Sequence, residues 1–304
     1  MRKITNTLIV ILGPTASGKT DMAIDIAQHF NTEIISADSR QFYHEIPIGT
    51  AAPDQRQLAK AAHHFVGHLD IEQEYNVSKF EKDVLTLLED KFKTLENIVM
   101  VGGSGLYIDA VCKGIDELPD PDPELRIELD SLFKKEGLPA LCNKLSKLDP
   151  VYFEKVDKQN SKRLIRAIEV CLQTGKTYTE LRKNRPIERD FSIIKIGLEV
   201  SRTVLNKRIN DRVDKMIVNG WLEEARKVFP FRSKNALNTV GFKELFNYFD
   251  GKWNFETAIE KIKTNTRRYA KRQITWFKKD EDIKWFSPEN PSEILDFIES
   301  KTGK

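Results

Sequence analysis

The feature that most constrains the fold is a glycine-rich loop at residues 13–20, with the sequence GPTASGKT. This loop fits the pattern G-x-x-x-x-G-K-[ST]. An apolar run typical of a buried strand precedes it at residues 7–12, and apolar side chains at helical spacing follow it. A strand, a loop of this composition and a helix in that order predict a phosphate-binding loop, or P-loop.

The P-loop pattern predicts a polyphosphate ligand and Mg²⁺. Its backbone amides wrap the phosphates, Lys19 reaches the outer oxygens, and the hydroxyl of Thr20 binds the metal ion. The positive end of the following helix faces the same anion. The predicted diphosphate- or nucleotide-binding residues are Gly13, Pro14, Thr15, Ala16, Ser17, Gly18, Lys19 and Thr20.

Two further apolar runs, at residues 33–38 and 98–101, alternate with helical segments and end in the polar loops 38–41 and 102–105. Short strands that alternate with helices predict a parallel α/β sheet, here a P-loop NTPase-like core. Ligands of such sheets bind beyond the carboxyl ends of the strands. We therefore expect the site where these loops meet the P-loop.

The pattern changes after Gly114. A linker rich in proline and aspartate at residues 118–123 leads into charged amphipathic helices, and a strand-like run returns at residues 191–198. We predict that residues 1–114 and 191–304 form the P-loop core with its C-terminal helices. Residues 115–190 are predicted to be a helical insertion domain.

Composition excludes several classes of protein. The 304 residues are 40% hydrophobic with a net charge of +3, which is typical of a globular chain and not of a disordered one. The longest apolar run near the N-terminus is too short for a signal peptide or a membrane span, so we expect a cytoplasmic protein with no membrane partner. The three cysteines are far apart and favour neither disulfides nor a zinc site.

Three charged residues outside the P-loop are candidates for chemistry. Asp38 ends the second predicted strand, where it could act as a general base or as a Mg²⁺ ligand, or simply cap a turn. Arg208 and Arg212 are one helical turn apart, so both side chains could face one anion. Pairing with acidic residues nearby in the sequence is the equally weighted alternative.

The positive charge is concentrated in one C-terminal segment. Residues 261–279 hold eight lysines and arginines and no acidic residue, with Tyr269, Trp276 and Phe277 among them. Basic side chains bind nucleic-acid phosphates, and aromatic rings stack on unpaired bases. The alternative is a solvated helix face whose aromatic side chains pack in the core. A second basic group begins at Lys162.

Several blocks together resemble those of the bacterial tRNA dimethylallyltransferases, and the likeness spans nearly the whole chain. The blocks are residues 13–20, 38–41, 48–51, 101–107, 163–169, 240–244 and 271–277. The resemblance implies transfer of an isopentenyl group from dimethylallyl diphosphate to N6 of the adenine immediately 3′ of the tRNA anticodon, with Mg²⁺ as cofactor. A monomer is expected.

The resemblance also implies roles for individual residues. Asp38 matches the general base, Thr20 a residue beside the diphosphate and Mg²⁺, and Arg212 an arginine that stabilises the leaving group. Together with two arginines of the basic C-terminal segment, the implied tRNA-binding residues are Asp38, Ser39, Arg40, Gln41, Ser104, Arg126, Gln159, Asn160, Ser161, Lys162, Arg163, Arg268 and Arg272.

Two other functions fit part of the sequence. A P-loop nucleoside or nucleotide kinase would explain the P-loop, Asp38 and Arg212, but not the acid-free basic segment. An RNA-binding protein without catalytic activity would explain that segment and would form no covalent product. For His63, His64 and His68 we expect packing or capping roles rather than chemistry.

Overall fold

The computed structural model describes residues 6–183 and 185–303. The chain divides into two compact units, one formed by Met1–Cys112 with Arg189–Lys304 and the other by Lys113–Glu188. These boundaries lie within two residues of those expected for a helical insertion at 115–190.

The first unit is built on a six-stranded sheet in which every strand pair is parallel. Its strands are β1 (Thr7–Leu12), β2 (Ile34–Ser36), β3 (His63–His64), β4 (Asn97–Gly102), β5 (Ser192–Leu198) and β6 (Lys284–Phe286). Their spatial order is β3-β2-β4-β1-β5-β6. The predicted α/β class with a parallel P-loop core is confirmed. The sequence did not predict β3 and β6, because strands of two and three residues are too short to show a periodic pattern.

Helices cover both faces of this sheet, as an all-parallel sheet requires. The α-helices before the second unit are α1 (Lys19–His29), α2 (Pro47–Thr50), α3 (Gln55–Leu58), α4 (Val77–Lys91) and α5 (Gly105–Lys113). Those of the second unit are α6 (Pro123–Leu148), α7 (Pro150–Lys155), α8 (Ser161–Thr174) and α9 (Tyr178–Leu181). Those that follow are α10 (Arg202–Val218), α11 (Trp221–Val228), α12 (Phe242–Phe249), α13 (Phe255–Phe277) and α14 (Pro291–Thr302). Two 3-10 turns, Phe229–Phe231 and Asn235–Leu237, lie between α11 and α12.

The central strand, β1, anchors the start of the P-loop between two hydrophobic cores. Side chains of Leu8 and Val10 point into one hydrophobic core, and those of Ile9 and Ile11 into the core on the other face. All four side chains are fully buried, and each contributes about 1.5–3 kcal/mol through removal from water. β4 and β5 flank β1, so the loop that follows Leu12 starts from the best-packed strand of the sheet.

All regular secondary structure in the described residues of the second unit is helical, and α6 and α8 form its main packing pair. Asp122 caps α6 by accepting hydrogen bonds from the amides of Glu124 (2.9 Å) and Leu125 (3.1 Å), which ends the proline- and aspartate-rich linker. Asp149 is buried and caps α7 through the amide of Tyr152 (2.8 Å). Among residues 6–183 and 185–303, no helix has the length and apolar character needed to cross a bilayer.

The three histidines make structural contacts at one edge of the sheet. His63 and His64 form β3, and the Nε2 of His64 lies 2.6 Å from a carboxylate oxygen of Glu33. The His68 ring packs edge-on against Phe42, with the ring centroids 5.5 Å apart. Burial lowers the pKa of His63 and of His68, so both are held as neutral side chains.

Candidate active site

The P-loop connects the end of β1 to the start of α1. Gly18, in the left-handed conformation with φ 94°, lies immediately before the helix. Inside the loop, the carbonyl oxygen of Pro14 accepts hydrogen bonds from Lys19 Nζ (2.9 Å) and from the amide of Ser17 (3.3 Å). The loop is therefore curled around its own lysine, which a polyphosphate would meet at the positive end of α1.

Asp38 lies just beyond β2, on the strand end that faces the P-loop. The amide of Ala37 donates to the carbonyl oxygen of Val101 (2.7 Å), which continues the pairing of β2 with β4 up to this point. One carboxylate oxygen of Asp38 accepts the amide of Arg40 at 3.1 Å. Asp38 thus forms the turn that the sequence allowed as an alternative, and this turn fixes the carboxylate in place.

Lys19, Thr20, Asp38 and Arg212 line a single cavity of about 130 Å³. α10 carries Arg212 across the mouth of the P-loop. One wall of the cavity is apolar, and its residues include Val101, Ile209, Val213, Met216, Trp221 and Val240. The structure therefore brings together the three predicted catalytic residues, Asp38, Thr20 and Arg212, which are far apart in sequence.

The charges in this cavity are strongly coupled. Burial and, to a smaller extent, the nearby Arg212 guanidinium lower the pKa of Lys19 while Asp38 opposes the shift, and together they bring it to about 8. Burial also lowers the pKa of Arg212, and again Asp38 acts in the opposite direction. With Arg40, three cationic side chains and one carboxylate line the cavity, which leaves it short of negative charge and favours an anionic ligand.

The P-loop side of this cavity adjoins a second, more open cavity of about 810 Å³. Arg208 and Lys215 of α10 line it together with Lys19 and Arg212, so basic side chains continue outward from the loop. Arg208 Nη2 lies 3.9 Å from Oε1 of the exposed Glu289, which is a long ion-pair distance. α10 therefore presents Arg208 and Arg212 towards one region, as their spacing in the sequence allowed.

The other predicted residues of the β2 loop are largely engaged with the protein. The amide of Ser39 donates to Ser104 Oγ (3.1 Å), and Gln41 Nε2 donates to the carbonyl oxygen of Ala51 (3.1 Å). Arg40 Nη1 donates to the carbonyl oxygen of Asn235 at 2.6 Å. Arg40 and Gln41 also line the inner cavity, so these contacts hold the loop around the site.

The basic C-terminal segment forms most of α13, and its three aromatic side chains differ in exposure, with Trp276 still 41% exposed. Phe277 is in the hydrophobic core at 3% exposure, which corrects its prediction as a stacking residue. Trp276 Nε1 donates to a carboxylate oxygen of Asp109 (2.8 Å), and Tyr269 lines the inner cavity. Burial is the main cause that raises the pKa of Tyr269, to about 12.

Two predicted tRNA-binding arginines of α13 remain at the surface. Arg268 and Arg272 are both exposed, and the Arg272 guanidinium lies 5.7 Å from the centroid of the Tyr269 ring. Lys263, in contrast, pairs with Asp214 at 2.8 Å. The basic face available to a polyanion is therefore narrower than the sequence suggested, and it lies around Arg268 and Arg272.

The helical unit holds the remaining predicted residues. Arg126 donates to the buried Glu169 at 2.6 Å, an ion pair that the sequence prediction did not foresee. Arg166 donates to the same carboxylate oxygen of Glu169 at 2.7 Å. Asn160 caps α8 through the amide of Arg163 (3.2 Å), which leaves the exposed side chain of Arg163 at the first turn. The other predicted residues here are Gln159 and Lys162, both exposed, and Ser161, which is partly exposed.

Comparison with known proteins identifies the family. The family model described as IPP transferase matches residues 41–280, more than half of the chain. The chain belongs to the IPP transferase family. It is 52% identical over 299 residues to the tRNA dimethylallyltransferase of Christiangramia forsetii, covering 98% of this chain and 99% of that protein. It is 51% identical over 295 residues to tRNA dimethylallyltransferase 1 of Phocaeicola vulgatus, covering 97% and 98%.

Solved structures of IPP transferases have the same fold. The tRNA isopentenylpyrophosphate transferase of Bacillus halodurans matches with a TM-score of 0.71 and 34% identity, covering 98% of this chain and 97% of that one. A eukaryotic dimethylallyltransferase described as acting on tRNA matches with a TM-score of 0.79 and 28% identity, covering 93% and 74%. The chain is therefore a transferase enzyme, and its resemblance to this family is confirmed.

Two residues that line the inner cavity of this IPP transferase were not among the predicted site residues. Gln273, only 6% exposed, lines the cavity and binds the backbone of both adjoining loops. The sequence could have indicated Gln273, because Ala270, Gln273 and Phe277 share one helical face. A glutamine in an apolar stripe needs hydrogen-bond partners. Trp221, 2% exposed, forms part of the apolar wall, and no short-range sequence pattern pointed to it.

The oxygen donors of the inner cavity fit a magnesium ion. Thr20 offers a hydroxyl and Asp38 a carboxylate, while the remaining charged groups, Lys19, Arg40 and Arg212, are cations. Mg²⁺ keeps several waters and is commonly held by one or two protein oxygens together with substrate phosphates. A small protein donor set next to a P-loop matches that coordination.

Proposed function

We propose that this enzyme transfers the dimethylallyl group of dimethylallyl diphosphate to N6 of the adenine immediately 3′ of the anticodon in tRNA. Magnesium ion is the proposed cofactor, and diphosphate is the second product. The names of the two bacterial relatives support tRNA as the acceptor and dimethylallyl as the group transferred. The position of the adenine and the need for Mg²⁺ are our inferences.

The observation that carries this proposal is the meeting of Lys19, Arg212 and Asp38 in one cavity with an apolar wall. A prenyl diphosphate has an anionic head and a small apolar tail, and the cavity offers cations and apolar side chains in that combination. The adenine amino group needs a carboxylate at the point where the two ends meet. Asp38, held by the Arg40 amide, is suited to that position.

In the proposed step, the bond from adenine N6 to the allylic carbon forms as the bond from that carbon to the diphosphate oxygen breaks. Asp38 accepts the N6 proton, which removes the positive charge that the new bond would leave on nitrogen. A positioned base of this kind contributes typically about 10²–10⁴-fold to the rate. Electrons of the broken bond leave with the diphosphate.

Lys19 and Arg212 stabilise the charge that develops on the departing diphosphate. Both side chains are fixed before the reaction, so no solvent has to reorganise as the charge appears. Thr20 and the diphosphate would hold Mg²⁺, which acts as an electrophile and template when bound. Arg208 and Lys215 line the open cavity beside the P-loop and would attract the diphosphate from solvent.

The proposed RNA contacts lie in both units. In the first unit they are the β2 loop with Ser104, and the exposed Arg268 and Arg272 of α13. In the second unit they are Arg126 and the start of α8 at residues 159–163. For the target adenine to reach a cavity lined by Asp38, it must leave the stacked anticodon loop, at a cost of a few kcal/mol that backbone contacts would offset.

The test is product identity. Purified protein is incubated with Mg²⁺, dimethylallyl diphosphate and unmodified tRNA, and the digested RNA is analysed by mass spectrometry for N6-dimethylallyladenosine. A parallel incubation replaces the prenyl donor with ATP. Prenylated adenosine in the first incubation alone is the expected result. ATP turnover on a nucleoside or nucleotide without prenylated RNA would instead support the kinase function, and RNA binding without product would support a non-catalytic role.

A further inference from the structure

Gln273 connects α13 to two loops at the active site. Its Oε1 accepts the amide of Thr15 in the P-loop at 2.8 Å, and its Nε2 donates to the carbonyl oxygen of Gly103 after β4 at 2.9 Å. A Cβ atom at residue 103 would overlap Nε2 of Gln273, so glycine at this position allows the contact. Both ends of the side-chain amide are therefore used, as expected for a buried glutamine.

The peptide that Gln273 binds is also the peptide that binds Lys19. The N–H of Thr15 and the carbonyl of Pro14 belong to one peptide group, and that carbonyl accepts Lys19 Nζ at 2.9 Å. A trans peptide is planar, so its N–H and C=O point in opposite directions. Fixing the N–H towards Gln273 consequently fixes the carbonyl towards the lysine.

α13 approaches the same loops one turn earlier. Tyr269 of α13 lines the inner cavity together with Asp38 and Arg40, and Ser104 Oγ accepts the amide of Ser39 at 3.1 Å. Ser39 follows Asp38, so Ser104 connects the loop after β4 to the loop that carries the proposed base, while Gln273 connects α13 to the P-loop and to the loop after β4. Of these links, the one through Gln273 acts on the phosphate-binding lysine.

We infer that Gln273 is a positioning residue that holds the Pro14–Thr15 peptide in the orientation needed for Lys19 and the P-loop to receive a diphosphate. This inference deepens the proposed function, since it concerns the diphosphate end of the same site. Without the side-chain amide, the peptide is free to rotate and Lys19 loses its fixed carbonyl. The affinity for the diphosphate then falls, while contacts to RNA elsewhere remain.

The first test replaces Gln273 with methionine, which keeps the side-chain length but removes both hydrogen bonds. Titration calorimetry with Mg²⁺ and inorganic pyrophosphate is expected to give a Kd about 5- to 20-fold higher than that of the wild type. The KM for dimethylallyl diphosphate rises by a similar factor, whereas the KM for tRNA changes less than about twofold. Thr275→Val, an exposed change on the same helix, is the matched control and leaves all three constants unchanged.

The second test, Gln273→Glu, separates positioning from general damage to the fold. Burial raises the pKa of a carboxyl group, and a protonated glutamate can accept from Thr15 and donate to Gly103 as glutamine does. Relative to wild type at the same pH, Q273E is expected to bind pyrophosphate normally at pH 6 and more weakly at pH 8. Gln273→Met should show no such recovery.

These measurements distinguish the two proposals. Normal pyrophosphate affinity in Q273M, or a Q273E defect that does not change with pH, overturns the role of Gln273. Equal weakening of pyrophosphate and tRNA binding also overturns it, because that result indicates a disturbed fold. If pyrophosphate binding depends on Gln273 but the wild type forms no prenylated RNA, the inference stands and the proposed function fails.

Discussion

The Arg212 guanidinium lies close enough to Lys19 to lower the pKa of the lysine, although Lys19 begins α1 and Arg212 lies in α10, far away along the chain. Two like charges are held near each other because Asp38 opposes the shift and because an anionic ligand relieves the repulsion. The site therefore holds an excess of positive charge, which a bound diphosphate would neutralise.

The first prediction concerns pH. Lys19 is charged below a pKa of about 8 and neutral above it, so the affinity for dimethylallyl diphosphate should fall as the pH rises through 8. The fall is at most about tenfold for each pH unit. In Arg212→Met the loss of the neighbouring charge raises the pKa of Lys19, and the inflection moves to higher pH even though overall affinity is lower. A flat profile from pH 7 to 9 in the wild type would contradict the cavity electrostatics.

A second prediction concerns the ion pairs of the helical unit. Glu169 is fully buried and pairs with Arg126 and Arg166, so Glu169→Gln should lower stability by about 1–3 kcal/mol and remove the ion pair of each guanidinium group. Arg166 keeps its hydrogen bond to the carbonyl oxygen of Pro119, whereas Arg126 loses its ion-pair partner. Because Arg126 loses its fixed orientation, the KM for tRNA should rise while the KM for dimethylallyl diphosphate stays constant. Glu154→Gln, an exposed change in α7 of the same unit, is the control. A rise in the donor KM alone would show that this unit does not serve RNA binding.

A third prediction concerns the apolar wall. Gly241 has a φ of 100°, and a Cβ there would overlap the indole of Trp221. Gly251 has a φ of 71° with no atom within 4 Å of its own Cβ position, so it isolates the backbone effect. Gly251→Ala should cost roughly 1–2 kcal/mol. Thermal unfolding should show a clearly larger loss of stability for Gly241→Ala than for Gly251→Ala. Equal losses would mean that Trp221 does not pack closely against residue 241.

A fourth prediction concerns the exposed arginines of α13. Replacing Arg268 and Arg272 with glutamine should weaken tRNA binding and reduce the slope of log affinity against log salt by about one for each arginine that binds a phosphate. Lys82→Gln, an exposed change on α4, removes one charge far from this helix in sequence and serves as the control. Binding is measured by fluorescence anisotropy at several salt concentrations. An unchanged slope in the double variant would show that Arg268 and Arg272 do not bind phosphates of the tRNA.

The sequence predicted those parts of the site whose interacting residues lie close together along the chain. The P-loop is a local pattern, so its strand, its loop and the start of α1 followed directly from consecutive residues. Asp38 and Arg212 were identifiable as candidates, but only the fold brings them into one cavity with Lys19. Gln273 was missed because Thr15 lies 258 residues away from it and Gly103 lies 170 residues away.

The basic helix shows the opposite case, in which a sequence pattern suggested too much. Charge alone does not tell which side chains find partners, and tertiary packing places Phe277 in the core and gives Trp276 a carboxylate. The same limitation applies to Arg126, whose partner Glu169 lies 43 residues away. The roles of the individual tRNA-binding residues stay predictions.

The most direct test of the central claim is the single-turnover rate of prenyl transfer in Asp38→Asn, measured with saturating dimethylallyl diphosphate and tRNA. Asparagine keeps the size of the side chain and can accept the amide of Arg40, but it cannot take up the N6 proton. We expect Asp38→Asn to lower the rate by about 10²–10⁴-fold and to leave the Kd for tRNA within about twofold of the wild-type value. A rate close to that of the wild type, or a defect that lies entirely in tRNA binding, would contradict the assignment of Asp38 as the base.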